Sequence, residues 1–204
     1  MPNEERLRRP RADAERNRAR LLDAARAAFA AGAGPVSLEQ IAKDADVGIG
    51  TLYRHFPSRE ALVEALYRAE LADLCASAGD LLAAHPPERA LRAWMDRFAG
   101  YVRAKREMAD TLRIVFASGA MTVSQAREEL TAAVRAILSA GVAAGTLRDD
   151  VRPEDVVAMI VGTFTATSVA GGDEQVARMF DLLVDAVRRP GQPLSRGRGA
   201  AGAP

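Results

Sequence analysis

Apolar residues return every three to four positions along most of this chain, and no alternating run is long enough for a strand. Leu21, Ala25 and Phe29, with Leu22 beside them, predict a helix over about 15–31 that the run Gly32-Ala33-Gly34-Pro35 stops. Ser37 is a natural N-cap, Gln40 completes a capping box, and Val36 with Ile41 makes a hydrophobic staple, so a second helix covers about 38–45. Asp46-Val47-Gly48 turns the chain, and a short third helix fits 49–56 before Pro57. Ser58 then caps a longer helix to about residue 78, with Glu60 in its first turn.

His85-Pro86-Pro87 breaks the pattern again and is a candidate boundary. Beyond it the same period predicts helices over about 88–104, 107–118, 122–144, 153–170 and 173–188. Pro153-Glu154-Asp155 is good first-turn chemistry, and Gly145 closes the helix before it. The expected fold is all-α, about nine helices: a three-helix N-terminal module over 16–60 and a larger helical domain over 61–189. A loose basic arm over 1–15 and a disordered Pro/Gly/Arg-rich tail over 190–204 complete the expected organisation.

Composition agrees with helix packing. Hydrophobic residues make up 49% of the chain but aromatics only 5%, which disfavours a β-sandwich. The net charge of +1 carries no message by itself. Its distribution does: residues 1–26 hold eight arginines against five acids, and the rest is near balance. Cys75 is the single cysteine, so neither an intrachain disulfide framework nor a cysteine zinc cluster can form, and a reducing cytoplasm is the expected location. The Arg-rich N-terminus has no apolar stretch behind it and does not read as a signal peptide. Val156 to Gly172 is seventeen residues without a charge. It is shorter than the ~20 apolar residues of a membrane span and is interrupted by Gly162, Thr163, Thr165 and Thr167, so a helix buried on most sides is the better reading.

Two short capped helices joined by a tight turn have the layout of a helix-turn-helix. Ile41, Ala42, Val47, Leu52 and Phe56 are its apolar contacts. Gly48 and Gly50 leave the start of the second helix bare, and Thr51, Tyr53, Arg54 and His55 project from it. A solvent-facing helix could also carry these groups, but so many donors on barely two turns fit a phosphate and base-edge partner better.

The stretch VSLEQIAKDADVGIGTLYRHFPSREAL, from Val36 to Leu62, resembles the DNA-binding domain of the TetR family of bacterial repressors, and RARLLDAARAAFAAG before it resembles that family's first helix. The resemblance covers about residues 16–70, and GTLYRHFPSREAL is its most specific part. It implies a homodimer that binds double-stranded operator DNA and responds to a small-molecule effector, with no cofactor, metal or membrane role. It also implies that Ser37, Tyr53, His55 and Arg59 touch phosphates, while Ile49, Gly50, Thr51 and Arg54 face the major groove, Arg54 being best suited to a guanine edge. There are two departures. Asp46 stands where the family usually has a turn glycine, and AAGAGPVSL is about one residue shorter than usual.

For the effector, Trp94, Met95, Phe98, Tyr101 and Met108 are candidate pocket residues, and so are Leu112, Phe116, Met121, Leu138 and Phe164; the same residues would also serve as plain core. For the dimer seam, Val157, Ile160, Val161 and Phe164 on one helix and Met179, Leu182 and Leu183 on the last are the candidates. The alternative of a helical-bundle enzyme, or of a small-molecule-binding protein without DNA-binding activity, has little to rest on. Leu52 and Leu82 stand three before the two histidines where a di-iron site needs Glu, and neither 32–34 nor 171–173 has the flanks of a phosphate loop.

Overall fold

The computed structural model describes residues 3–31, 36–119, 122–167 and 172–190. Among these the chain forms α1 (Asn3–Ala30), α2 (Leu38–Asp44), α3 (Ile49–His55), α4 (Arg59–Ala84), α5 (Pro87–Glu107), α6 (Ala109–Ala117), α7 (Val123–Ala143), α8 (Pro153–Thr167) and α9 (Asp173–Val187). One isolated antiparallel bridge, Leu147 with Arg188, is the sole β pairing among the described residues. The all-α expectation holds.

Two helices are longer than the sequence pattern predicts. α4 continues past residue 78 to Ala84, because nothing breaks it before His85-Pro86. α1 begins at Asn3 rather than near Glu15, so part of the expected loose arm is helical. The segment is dense in Arg, Glu and Ala, strong helix formers with acids in the first turn, and these outweigh the missing N–H of Pro10. The tail from residue 191 lies outside the described residues.

The chain divides into two compact units. The first comprises Met1–Ala76 and Arg97–Glu129, the second Ser77–Asp96 and Leu130–Pro204. Segment 97–129, assigned from sequence to a separate C-terminal domain, thus groups with the N-terminal helices.

In the first unit α1, α2 and α3 pack on one another, with Leu21, Ala25, Phe29, Ile41, Ala42, Leu52 and Phe56 buried. The turn between α2 and α3 is a Schellman-type cap: Asp46 N–H donates to the Lys43 carbonyl at 3.0 Å and Val47 N–H to the Ala42 carbonyl at 2.9 Å. This geometry puts Asp46 in the left-handed region at φ +51°, where glycine is usual. The Arg26 guanidinium joins α1 to α4 through Glu70 and, at 3.1 Å, Asp73. Its hydrogen bond to Glu70 raises its already high pKa.

In the second unit α8 packs on α9, and Phe164 meets Phe180 edge-on with ring centroids 5.9 Å apart. Arg92 lies over the Phe180 ring at 5.7 Å and pairs with Asp181 at 2.6 Å. α7 ends at a left-handed glycine, Gly145 at φ +71°, as the sequence indicates. The chain then passes so close to α7 that a Cβ on Gly141 would sit 2.3 Å from Leu147 Cδ1.

Candidate nucleic-acid interface and effector region

α3 is held by two buried anchors and presents the rest. Leu52 and Phe56 are 0% and 2% exposed, whereas Ile49 and Tyr53 are 40% and 46% exposed. Gly50 and Arg54 are exposed as well, and Thr51 and His55 are half-buried. Ile49 and Tyr53, like Gly50 and Arg54, are four residues apart and so share a face. The helix starts at Gly48 without a side-chain cap, and a Cβ at Gly48 or Gly50 would meet nothing within 4 Å. The open face therefore combines bare backbone, a phenol and a guanidinium. Arg18, on α1, stacks its guanidinium over the Phe56 ring at 5.4 Å and braces the end of α3.

Ser37 is the N-cap of α2 and accepts from Gln40 N–H at 3.4 Å. Only half of the expected capping box forms. The Gln40 amide donates instead to Asp44 at 2.6 Å, while the Ser37 hydroxyl donates to Glu39 at 2.7 Å and holds that carboxyl below its usual range. Ser37 remains exposed.

Arg59 departs most from its expected place. Nη1 donates to the Val36 carbonyl at 2.5 Å, Nε donates to Thr111 Oγ1 at 3.4 Å, and the guanidinium lies 5.8 Å from the Phe29 ring centroid. A half-buried arginine tied to three segments is a structural bracket. Sequence spacing gives no sign of this, because Val36 and Thr111 lie far from Arg59 along the chain. Ser58 caps α4 as expected, accepting from Ala61 N–H at 3.2 Å.

The candidate effector residues fall in both units. Phe98, Tyr101, Met108, Leu112 and Phe116 belong to the first, and Trp94, Met95, Leu138 and Phe164 to the second. Met121 lies outside the described residues. All the described ones except Phe116 and Phe164 are buried. None of them lines the surface cleft of about 420 Å³ on the first unit, which is formed by Arg20, Asp23, Ala24, Ala27, Asp44 and Ala45. Inside the first unit Tyr101 is hydrogen-bonded to Tyr67, with ring centroids 5.7 Å apart. Phe98 and Phe116 pack against Tyr101 and Tyr67 respectively. Burial raises both phenols and pushes the Cys75 thiol up to about 11. Lys105, which the sequence analysis passed over, places its ammonium 5.3 Å from the centroids of both Tyr67 and Phe116, and burial lowers its pKa. An apolar scan could not find it; a lone lysine in an arginine-rich stretch was the available signal.

The seam candidates divide by helix phase. Val157, Ile160 and Leu183 are 2%, 1% and 3% exposed and belong to their own unit's core, so they cannot line an outer surface. Val161 and Leu182 are 45% and 69% exposed, and Met179 and Phe164 are half-buried. Met159, overlooked in the sequence, is 53% exposed. With Ala158, Gly162, Thr165 and Ala166 it makes the open side of α8 beyond its acidic first turn free of charge.

No group of three or more His, Cys, Asp or Glu among the described residues is placed to hold a metal ion, and no described helix is long and apolar enough to cross a membrane.

Residues 21–66 match the sequence model of bacterial regulatory proteins of the tetR family, and residues 86–189 match that of the C-terminal domain of SbtR-like transcriptional regulators. The structure is similar to that of the TetR transcriptional regulator SCO0520 from Streptomyces coelicolor, with 43% identity and a TM-score of 0.73 over 85% of this chain and 99% of the other. It is also similar to a TetR transcription regulatory protein from Mycobacterium vanbaalenii, with 33% identity and a TM-score of 0.67 over 88% of this chain and 99% of the other. No curated protein matches the chain.

Proposed function

The chain belongs to the TetR family of bacterial transcriptional regulators, and on that premise we propose that it is a repressor that binds a palindromic operator as a homodimer and leaves it when a small apolar or amphipathic effector binds. The observation that carries the DNA-binding reading is the division of α3: Leu52 and Phe56 fix the helix, and Ile49, Gly50, Tyr53 and Arg54 stay open on one face. Arg54 is the base reader in this scheme, because a guanidinium matches the two acceptors of a guanine edge. Tyr53, Ser37 and His55 contribute phosphate contacts, which fix register without reading sequence. Arg59 acts behind them. It holds the backbone ahead of α2 and, through Thr111, reaches α6, so a displacement of α6 would be felt where α2 begins.

The dimer brings two copies of α3 to half-sites roughly 34–36 Å apart. The open side of α8 beyond its acidic first turn, with Leu182 of α9, supports pairing there, because an exposed apolar patch of this kind is a common interaction surface. The effector acts by favouring a conformation whose recognition helices no longer fit those half-sites. The setting is the cytoplasm, where the DNA is.

A gel-shift assay with DNA from the protein's own promoter region, at low and moderate salt, tests the reading. A sequence-selective shift that weakens with salt is expected. Folded, dimeric protein that shifts nothing at low salt would sink it.

A further inference from the structure

The chain has two lysines, Lys43 and Lys105, among twenty-six arginines. Many of the arginines with described side chains pair with acids, as Arg26, Arg92, Arg135 and Arg148 do. Lys105 is different. It is half-buried, and no acid among the described residues forms an ion pair with it. Its ammonium sits instead between two aromatic rings, 5.3 Å from the centroid of Tyr67 and 5.3 Å from that of Phe116, which themselves meet edge-on at 5.7 Å. Rings stabilise a cation less than a carboxylate does in a partly desolvated place, so the charge is left under-compensated.

A buried phenol stands beside it. Tyr67, only 2% exposed, is hydrogen-bonded to the Tyr101 hydroxyl, and burial is the largest cause of the rise in both phenols. Phe98 packs on Tyr101, and Phe116 is half-buried. Glu129 bears on Tyr67, Tyr101 and Cys75, but burial is the one cause of the shift at Lys105.

We propose that Lys105, with the Tyr67 hydroxyl beside it, is the recognition point for a carboxylate, and that the effector is an amphipathic monocarboxylic acid whose tail lies on the Phe98 and Phe116 side. The proposal rests on the ligand-responsive reading above and specifies its chemistry. One ammonium balances one negative charge. A phosphate dianion would leave a net charge in an apolar setting, and an amine would add a like charge to one already unpaired. The carboxylate takes Lys105 from two rings to a charge-assisted hydrogen bond, which is stronger, and accepts a hydrogen bond from the Tyr67 hydroxyl at its other oxygen. Because Phe116 and Thr111 both lie on α6, drawing the ammonium away from Phe116 acts on the helix that Arg59 holds.

Titration calorimetry of the full chain with octanoate, octan-1-ol and octylamine tests this. Octanoate should bind about tenfold or more tighter than the alcohol and the amine. K105M should lose about tenfold in octanoate affinity while K105R retains most of it. Tyr67→Phe, which keeps the ring, should weaken octanoate alone and is the informative variant should K105M fail to fold. Octanoate that does not bind, or that binds no tighter than octan-1-ol, or that binds folded K105M as well as the wild type, would overturn the assignment. Operator shifts run on the same samples separate the two readings. Loss of all DNA binding by folded wild-type protein rejects the regulator, whereas intact DNA binding with no response to octanoate rejects only the acid.

Discussion

Arg20 Nη2 donates to Asp46 Oδ2 at 2.9 Å, across the space between the first helix and the turn of the helix-turn-helix. Asp46 is also the one described non-glycine residue with a positive φ. The position asks for glycine, and the chain supplies an acid that tolerates the left-handed region and gains an external partner. The ion pair is highly exposed on the Asp46 side, so the backbone preference outweighs it. Asp46→Ala should therefore destabilise the first unit by about 1 kcal/mol, while Asp46→Gly should be neutral or slightly stabilising. Thermal melts of both variants check the order, and an alanine variant as stable as the wild type would contradict it.

Arg54 and Tyr53 should fail in different ways. Arg54→Ala should cost about 1–3 kcal/mol on the best operator and relax the preference at one base pair of each half-site. Tyr53→Phe should weaken every DNA alike, because a phosphate contact carries no sequence. Competition binding over single-base operator variants distinguishes a lost reader from a lost positioner.

Arg59→Gln should lower stability by about 1–2 kcal/mol, because it strips the Val36 carbonyl of its donor and leaves Thr111 without its guanidinium partner. The salt dependence of DNA binding should stay nearly unchanged. A true phosphate contact would instead reduce the slope of log K against log salt by about 0.9 for each contact removed. A slope that falls by that amount would return Arg59 to the DNA surface.

Gly141→Ala should destabilise the second unit by about 1–3 kcal/mol, since the added methyl lands within 2.3 Å of the fully buried Leu147 side chain. Leu147→Ala in the same chain should recover part of that loss when the two are compared by double-mutant cycle. Additive costs would mean that the two residues do not share the space.

Cys75 should be a poor nucleophile near neutral pH, with its thiol pushed up from 9.0 to about 11 chiefly by burial. The sign of the linked stability follows. Below pH 9 both folded and unfolded thiols are protonated and the group is silent. Between about 9 and 11 the unfolded chain loses its proton first, so stability falls as pH rises through that window. Iodoacetamide labelling should be slow at neutral pH and accelerate in denaturant, and Cys75→Ser should flatten the alkaline decline.

The helices and the exposed face of α3 were legible in the chain because both depend on short-range order. A period of three to four residues, the caps at Ser37 and Ser58, and the spacing from Gly48 to Arg54 need only neighbours a turn away to be understood. The same local signals misjudge whatever depends on which way a face turns. Val157, Ile160 and Val161 look alike in sequence, yet helix phase buries the first two and exposes the third.

The sequence by itself therefore determined an all-helical protein, the family of its N-terminal motif, and the residues of α3 that a partner can reach. Tertiary structure decided the roles that depend on distant segments. It turned Arg59 inward, because Val36, Phe29 and Thr111 converge on it from three parts of the chain. It also set Lys105 between two rings, with no acid among the described residues paired with it, because Tyr67 and Phe116 come from two other helices. A charge's role is set by what folding brings within a few ångströms, and that distance is not written along the chain.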